Sequence, residues 1–226
     1  MNDFLIGLDL GQMSDYTALT VIERFHEENP TLYHLRHLER FQLGTPYPDQ
    51  VARVKSLVEQ PPLRGCSTLI VDQTGVGKPV VDMLSNTGLP VSIISVLIHG
   101  GDAVSEEANQ YRVPKRDLVG ALQVLLQSKR LRVAEGLKDA PILVQELLNF
   151  KVKISLGGHD SYDAWREGVH DDLVLSAAMA CWYGERKPRC RFDFLTSNSR
   201  ERREHARAMD IFCGYSGSMS QMMRGY

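Results

Sequence analysis

The chain has little that would anchor it in a membrane or send it out of a cell. No apolar run approaches the roughly 18 residues needed to cross a bilayer, and the first residues, with Asp3 and then Asp9, lack the basic-then-apolar pattern of a secretory signal. A cytoplasmic location is expected. Cysteine is scarce: Cys66, Cys181, Cys190 and Cys213 form no C-x-x-C pair and have no His at zinc-finger spacing, so neither a disulfide framework nor a structural zinc site is suggested and reduced thiols are expected. Positive charge is not in excess. With 26 Lys and Arg against 28 Asp and Glu, the formal net charge is -2, which argues against a general nucleic-acid coat. It leaves open a protein that gathers carboxylates in one place, cancels them with bound divalent cations and meets phosphates through surrounding Lys and Arg. Internal repeats are absent. A phosphate loop is absent too: Gly75-Val76-Gly77-Lys78 has Asp72 where the pattern needs Gly and Pro79 where it needs Ser or Thr. Lys78 is then a surface charge or one that faces DNA.

What is there is an ordinary globular composition, 43% apolar and 24% charged over 226 residues, enough for one sizeable core. Phe4 to Leu10 (FLIGLDL) is apolar and branched enough for a buried strand and ends at Gly11. Thr17 to Phe25 and Leu32 to Phe41 alternate apolar and polar residues around the turn-forming Glu27-Glu28-Asn29-Pro30, the pattern of an antiparallel hairpin. Pro48 to Glu59 carries Val51, Val54, Leu57 and Val58 at helical spacing before Pro61-Pro62. Ser67 to Asp72 (STLIVD) is a second strand ending in an aspartate, followed by a glycine turn and a helix to Leu84. Val91 to Ile98 is a third buried strand, and the polar stretch His99 to Arg112 is expected to be a mobile loop. Pro114 opens a helix with Leu118, Leu122, Leu125 and Leu126 on one face. A second, capped by Asp139, presents Leu143, Leu147 and Leu148, and both helices are expected to be structural. The last helix starts at His170-Asp171-Asp172 and runs through LVLSAAMACWYG. Strands followed by helices, with a hairpin after the first strand, predict an α/β fold: a mixed central sheet with helices on its faces. Residues 1–186 are expected to form one domain and residues 187–226, rich in Arg and then in Gly, Ser and Met, a basic, loosely attached tail.

Two strands end in aspartates, Asp9 and Asp72, and a third acidic cluster, Asp171-Asp172, stands where a helix begins. Sites in open sheets gather at strand ends. If the strands are neighbours and the helix starts above them, these carboxylates converge, repel one another, and call for cations. Oxygen-only ligands suit Mg²⁺ or Mn²⁺ rather than zinc, and a pair of such ions activates water and stabilises the leaving oxygen of a phosphodiester. The pattern alone equally allows a plainer reading, in which Asp9 and Asp72 form turns and Asp171 and Asp172 cap a helix.

Four segments tip the balance by resemblance. GLDLGQMSDYTAL (7–19), LIVDQTGVGKPVVDML (69–84), VPKRDLVGALQVLLQSKRL (113–131) and HDDLVLSAAMA (170–180), in that order, resemble the nuclease domain of the large subunit of tailed-phage terminases, over nearly all of residues 1–186. The resemblance implies a ribonuclease H-like fold that cuts double-stranded DNA with two metal ions during genome packaging. By motif position it implies Asp9, Asp72 and Asp172 as catalytic metal ligands and Asp171 as a further ligand or a partner of one. Asp15 falls where such nucleases often place an accessory carboxylate; before Tyr16 it is equally a turn former. The implied partners are double-stranded DNA and a separately encoded ATPase motor, portal or small terminase subunit, in the cytoplasm of a bacterial host. A complete large subunit carries an ATPase before its nuclease, whereas this chain begins almost at the first nuclease strand, so no motor is expected within it; it is either an excised domain or a shortened gene product, or it works with a motor encoded elsewhere.

Other residues carry two readings each. His170 orients a water or phosphate, or bonds locally at a helix start; His159, in Gly157-Gly158-His159-Asp160, does the same at a loop tip. Lys115 and Arg116 meet phosphates or are simply solvated, and the Arg-rich tail from Arg186 to Arg207 adds nonspecific DNA affinity, binds a partner protein or is inert. Rival functions are a junction-resolving or transposase-like nuclease on the same fold, a non-catalytic DNA- or partner-binding module, and an actin-like ATPase. The last needs glycine-rich phosphate hairpins, of which Gly11-Gln12-Met13-Ser14 is a poor one.

Overall fold

The structure, a computed structural model, describes residues 3–11, 15–75, 77–156 and 170–186, the side chains of 150–156 excepted. In chain order it contains β1 (Asp3–Asp9), β2 (Ala18–Phe25), β3 (Leu32–Arg40), α1 (Tyr47–Val58), β4 (Ser67–Asp72), α2 (Gly77–Asn86) and β5 (Ser92–His99). There follow β6 (Ser105–Glu107), β7 (Gln110–Pro114), α3 (Lys115–Gln127), β8 (Leu131–Val133), α4 (Ala140–Leu156) and α5 (Asp172–Arg186). The strands make one mixed sheet in the order β6-β7-β5-β4-β1-β2-β3-β8. β1 pairs antiparallel with β2 and β2 with β3, the hairpin expected from the alternating segments, while β1, β4, β5 and β7 run parallel. The basic tail and the segment Gly157-Gly158-His159-Asp160, expected to form a loop tip, lie outside the described residues.

The pleat divides the core into two layers. Phe4, Ile6 and Leu8 of β1 pack with Leu69 and Val71 of β4, Val51 and Val54 of α1 and Val80 and Leu84 of α2. Leu5 of β1 and Ile70 of β4 face the other way, onto Leu118 and Leu122 of α3, Leu143 of α4 and the apolar length of α5. Helices therefore cover both faces, as the period-2 strands and period-3.6 helices require. Burying about 25 cal/mol per Å² of apolar surface on each side is the dominant stabilising contribution.

α5 lies unusually close to the sheet. It is buried from Asp172 to Gly184, its Ala177, Ala178 and Ala180 are small, and a Cβ added at Gly7 would fall 1.8 Å from the Ser176 carbonyl oxygen. Beside it, Thr20 Oγ1 and Ser176 Oγ share a hydrogen bond of 2.6 Å. Gly7→Ala is expected to force helix and sheet apart and destabilise the protein by about 3 kcal/mol, as overpacking against rigid backbone does. A urea midpoint equal to that of the native chain would refute this contact.

Two expectations are corrected. His99 to Arg112 is not wholly loop: it contains β6 and most of β7, which pairs parallel to β5 and antiparallel to β6. Tyr111 and Val113 are buried in alternation, but β6 is exposed throughout and occupies the sheet edge, so its side chains carry no apolar signature. Leu148, expected on the inward face of α4, is 59% exposed; the inward positions are Leu143, Glu146 and, partly, Leu147. The short β8, parallel to β3, extends the other edge and is only three residues long, below what periodicity registers.

β3 also holds an acid-sensitive residue. Burial, with Arg36 and Arg132 nearby, depresses the His34 imidazole to about 4 from an ordinary 6.5. Such a group is neutral in both states above pH 6.5, whereas below that the unfolded chain binds the proton first, so stability is lost as pH falls from 6.5 towards 4. The thermal midpoint is expected to drop by roughly 3 °C over that window and by less in His34→Gln, a comparison scanning calorimetry makes directly.

Candidate active site

The register explains why the aspartates meet. Leu8 of β1 lies opposite Val71 of β4, and both point to the α1–α2 layer; the next residue on each strand, Asp9 and Asp72, therefore points to the α5 side. On the other flank, Asp9 pairs with Ala18 of β2 and Ala18 with Arg40 of β3. One row at the end of the sheet thus reads Asp72, Asp9, Ala18, Arg40. α5 begins above this row with Asp172, and the close approach at Gly7 holds it there.

All three aspartates are nearly buried, at 7%, 8% and 7% exposure for Asp9, Asp72 and Asp172. The Asp72 carboxylate accepts the Thr74 backbone N–H at 2.7 Å, an Asx turn that fixes its direction, and Thr74 Oγ1 in turn accepts the Ile98 N–H at 2.8 Å. Burial, and then the charges of Asp72, Asp172 and Asp171, push the Asp9 carboxyl well above the usual carboxylate range. Burial also raises Asp72, against the hydrogen bonds from Thr74. Asp172 is pushed up to about 6 by burial, against the nearby Arg40. Opposing these acids, Lys115 Nζ lies 3.0 Å from Asp171 Oδ2, and Arg40 Nη2 lies 3.1 Å from Asp172 Oδ2. Burial lowers the Lys115 ammonium, while Asp171, Asp9 and Asp72 hold it charged.

Glu146 of α4 was not singled out by sequence, yet it joins this group. Only 5% exposed, it bonds Arg40 and the backbone N–H of Val174, and burial raises its carboxyl to about 7. A signal existed: Glu146 stands between Leu143 and Leu147 on the apolar face of its helix, where a charge without a partner is costly. Arg40 and Tyr16 were also missed. The Arg40 guanidinium lies 4.2 Å from the Tyr16 ring centroid, and that ring meets His170 edge-on at 4.8 Å.

The remaining expected residues are placed as follows. His170 Nδ1 is 3.8 Å from Asp172 Oδ2, beside the acids. Asp15 is exposed and lines a cleft with Gly11, Thr17, Thr45 and Gln50. Lys78 is exposed in the first turn of α2. Lys115 is engaged by Asp171, and Arg116 by Asp102 at 2.6 Å, so neither presents an unencumbered charge. His159 is outside the described residues.

The donor set fits hard divalent cations: the side chains are carboxylates, burial and then the neighbouring acids raise the proton affinity of Asp9 and Asp172, and Lys115 and Arg40 offset only part of their charge. The carboxylates couple electrostatically without being drawn up as ready-made ligands, for no group of three or more His, Cys, Asp or Glu side chains stands at metal-holding geometry among the described residues.

No family model and no curated protein matches the sequence. Among solved structures, the chain is similar to the nuclease domain of the phage P22 large terminase, with a TM-score of 0.52 and 13% identity over 86% of this chain and 87% of that one. The large terminase nuclease of thermophilic phage G20c with bound zinc gives a TM-score of 0.49 and 23% identity over 79% and 80% of the two chains. T. thermophilus RuvC in complex with a Holliday junction substrate gives 0.40 and 13% over 81% and 96%. The P22 match, together with the mixed sheet and its helix-covered faces, places the chain in the ribonuclease H-like α/β fold of the P22 large terminase nuclease domain.

Proposed function

We propose that this chain is a metal-dependent endonuclease acting on double-stranded DNA by two-metal phosphodiester hydrolysis, as in the nuclease domain of a viral DNA-packaging terminase. The observation that supports it best is the convergence of Asp9, Asp72 and Asp172 from two adjacent parallel strands and the start of a buried helix. These three would hold Mg²⁺ or Mn²⁺, with Asp171 as a further ligand. When bound, such cations supply an activated water and charge stabilisation at the leaving oxygen. The chain supplies the orientation: the Thr74 N–H aims Asp72, Arg40 aims Asp172, and Lys115 pairs with Asp171. His170 and Asp15 are accessory in this reading, and Lys78 is the exposed cation suited to a DNA phosphate. Residues 1–186 form the nuclease domain and 187–226 a basic segment that adds DNA affinity. An ATPase motor, a portal or a small terminase subunit is the class of partner this reading implies.

The test is conversion of supercoiled plasmid to nicked and linear forms with Mg²⁺, with Mn²⁺ and with EDTA, comparing the native chain with Asp72→Ala. Cutting with at least one metal is expected, none in EDTA, and a loss of ~10³-fold or more in the variant. A folded native chain that cuts with neither metal would reduce the proposal to a binding module. Preferential cutting of a four-way junction in competition would turn it towards junction resolution.

A further inference from the structure

Arg40 Nη2 donates to two carboxylates at once, Glu146 Oε1 at 2.5 Å and Asp172 Oδ2 at 3.1 Å. Its position is held from three other directions: the register opposite Ala18, the Tyr16 ring, and its own backbone N–H, which donates to Asp139 Oδ2 at 3.0 Å. The other oxygen of Glu146, Oε2, accepts the Val174 N–H at 3.1 Å. Val174 is in the first turn of α5, where backbone N–H groups have no partner within the helix. Glu146 therefore caps, from a neighbouring helix, the same helix start that presents Asp172.

A buried glutamate beside an acidic cluster is costly, and a glutamine of the same shape would satisfy the Val174 N–H equally well. What the charge adds is a second claim on the Arg40 guanidinium. We propose that Glu146 is a positioning residue that, by sharing Arg40, keeps the Asp172 carboxylate oriented and open to a divalent cation. This rests on the proposed metal-dependent nuclease reading. Without the Glu146 charge, Arg40 has only Asp172 to neutralise and competes with the cation for its oxygens.

The test is Mn²⁺ binding by calorimetry to the native chain and to Glu146→Gln, each in an Arg40 and in an Arg40→Gln background, with the thermal midpoint as a check of folding. Glu146→Gln is expected to bind Mn²⁺ roughly tenfold more weakly, the scale on which groups that orient metal ligands act, with its midpoint within a few degrees of native. In the Arg40→Gln background the same change is expected to alter binding less than ~2-fold, because the route through Arg40 is gone. If Arg40→Gln does not fold, Arg40→Met, which keeps the apolar stem beside Tyr16, replaces it. If Glu146→Gln does not fold, Glu146→Asp, too short to reach both Arg40 and Val174, is expected to show the same tenfold loss. Unchanged Mn²⁺ affinity in the Glu146 variant, or an equal loss in both backgrounds, would overturn the positioning role while leaving native Mn²⁺ binding intact. A native chain that binds no Mn²⁺ would remove both the role and the nuclease reading.

Discussion

Asp9→Asn is expected to abolish metal-dependent cutting, by ~10³-fold or more, and at the same time to raise the thermal midpoint in EDTA at pH 8. The two effects have one cause. Asp9 is buried among Asp72, Asp172 and Asp171, so its ionised form is disfavoured in the folded chain. A carboxyl whose folded proton affinity is raised contributes nothing unfavourable below the unfolded value, and costs stability as pH rises above it. An isosteric amide removes that cost, which is about 1 kcal/mol or more for a nearly buried acid facing like charges, or roughly 2–4 °C. The gain should therefore be present at pH 8 and small near pH 4. A variant less stable than the native chain at pH 8 would mean that Asp9 is held by favourable contacts, and the picture of a repulsive cluster awaiting cations would be wrong.

Arg24→Met is expected to cost about 3–5 kcal/mol, the usual penalty for breaking a buried ion pair from one side. Arg24 is 1% exposed; its Nε and Nη2 donate to Asp3 Oδ1 and Oδ2 at 3.0 and 2.6 Å, and its Nη1 to the Gly184 carbonyl oxygen at 2.6 Å. Methionine fills the volume but leaves the 5% exposed Asp3 carboxylate with a weaker partner in His26 at 2.9 Å. The clamp ties the far end of β1 and β2 to the last turns of α5, at the end of the helix away from Asp172. Chemical denaturation of Arg24→Met, Asp3→Leu and the double variant checks this, with the double expected to lose less than the two singles combined. Additive losses would show that the pair stabilises only through separate contacts.

The element order was largely legible because it is written locally. A branched apolar run ending in glycine, two alternating segments around Asn29-Pro30, and helices with apolar residues three and four apart each satisfy a period that a single segment can display. The aspartates were legible for a related reason: Asp9 and Asp72 end apolar strands, and Asp172 opens an apolar helix, so each announces itself at an element boundary.

Elements without a buried face of their own were not legible. β6 is exposed at a sheet edge, and β8 is too short to show a period. Arg40 and Glu146 were hidden for a different reason: Arg40 looks like a solvated charge, and the place of Glu146 between Leu143 and Leu147 marks it as inward-facing without naming its partners. The spacing of Leu35 and Leu38 held part of the answer. Both face the α5 side, which a regular strand cannot arrange for residues three apart, and the register shift opposite Val21 and Ile22 resolves it. That bulge also turns Arg40 inward.

The sequence by itself determined the periodicities, the element boundaries and the acids standing on them, because hydrophobic patterning and turn chemistry act over a few residues. Only the tertiary structure decided that β1 and β4 are neighbours in parallel register, that α5 starts above them, and that Arg40 and Glu146, 106 positions apart, share one nitrogen and one helix start. Those relations depend on strand order, on a bulge and on a glycine-permitted close approach, and no local period encodes which distant charges will meet once water is excluded.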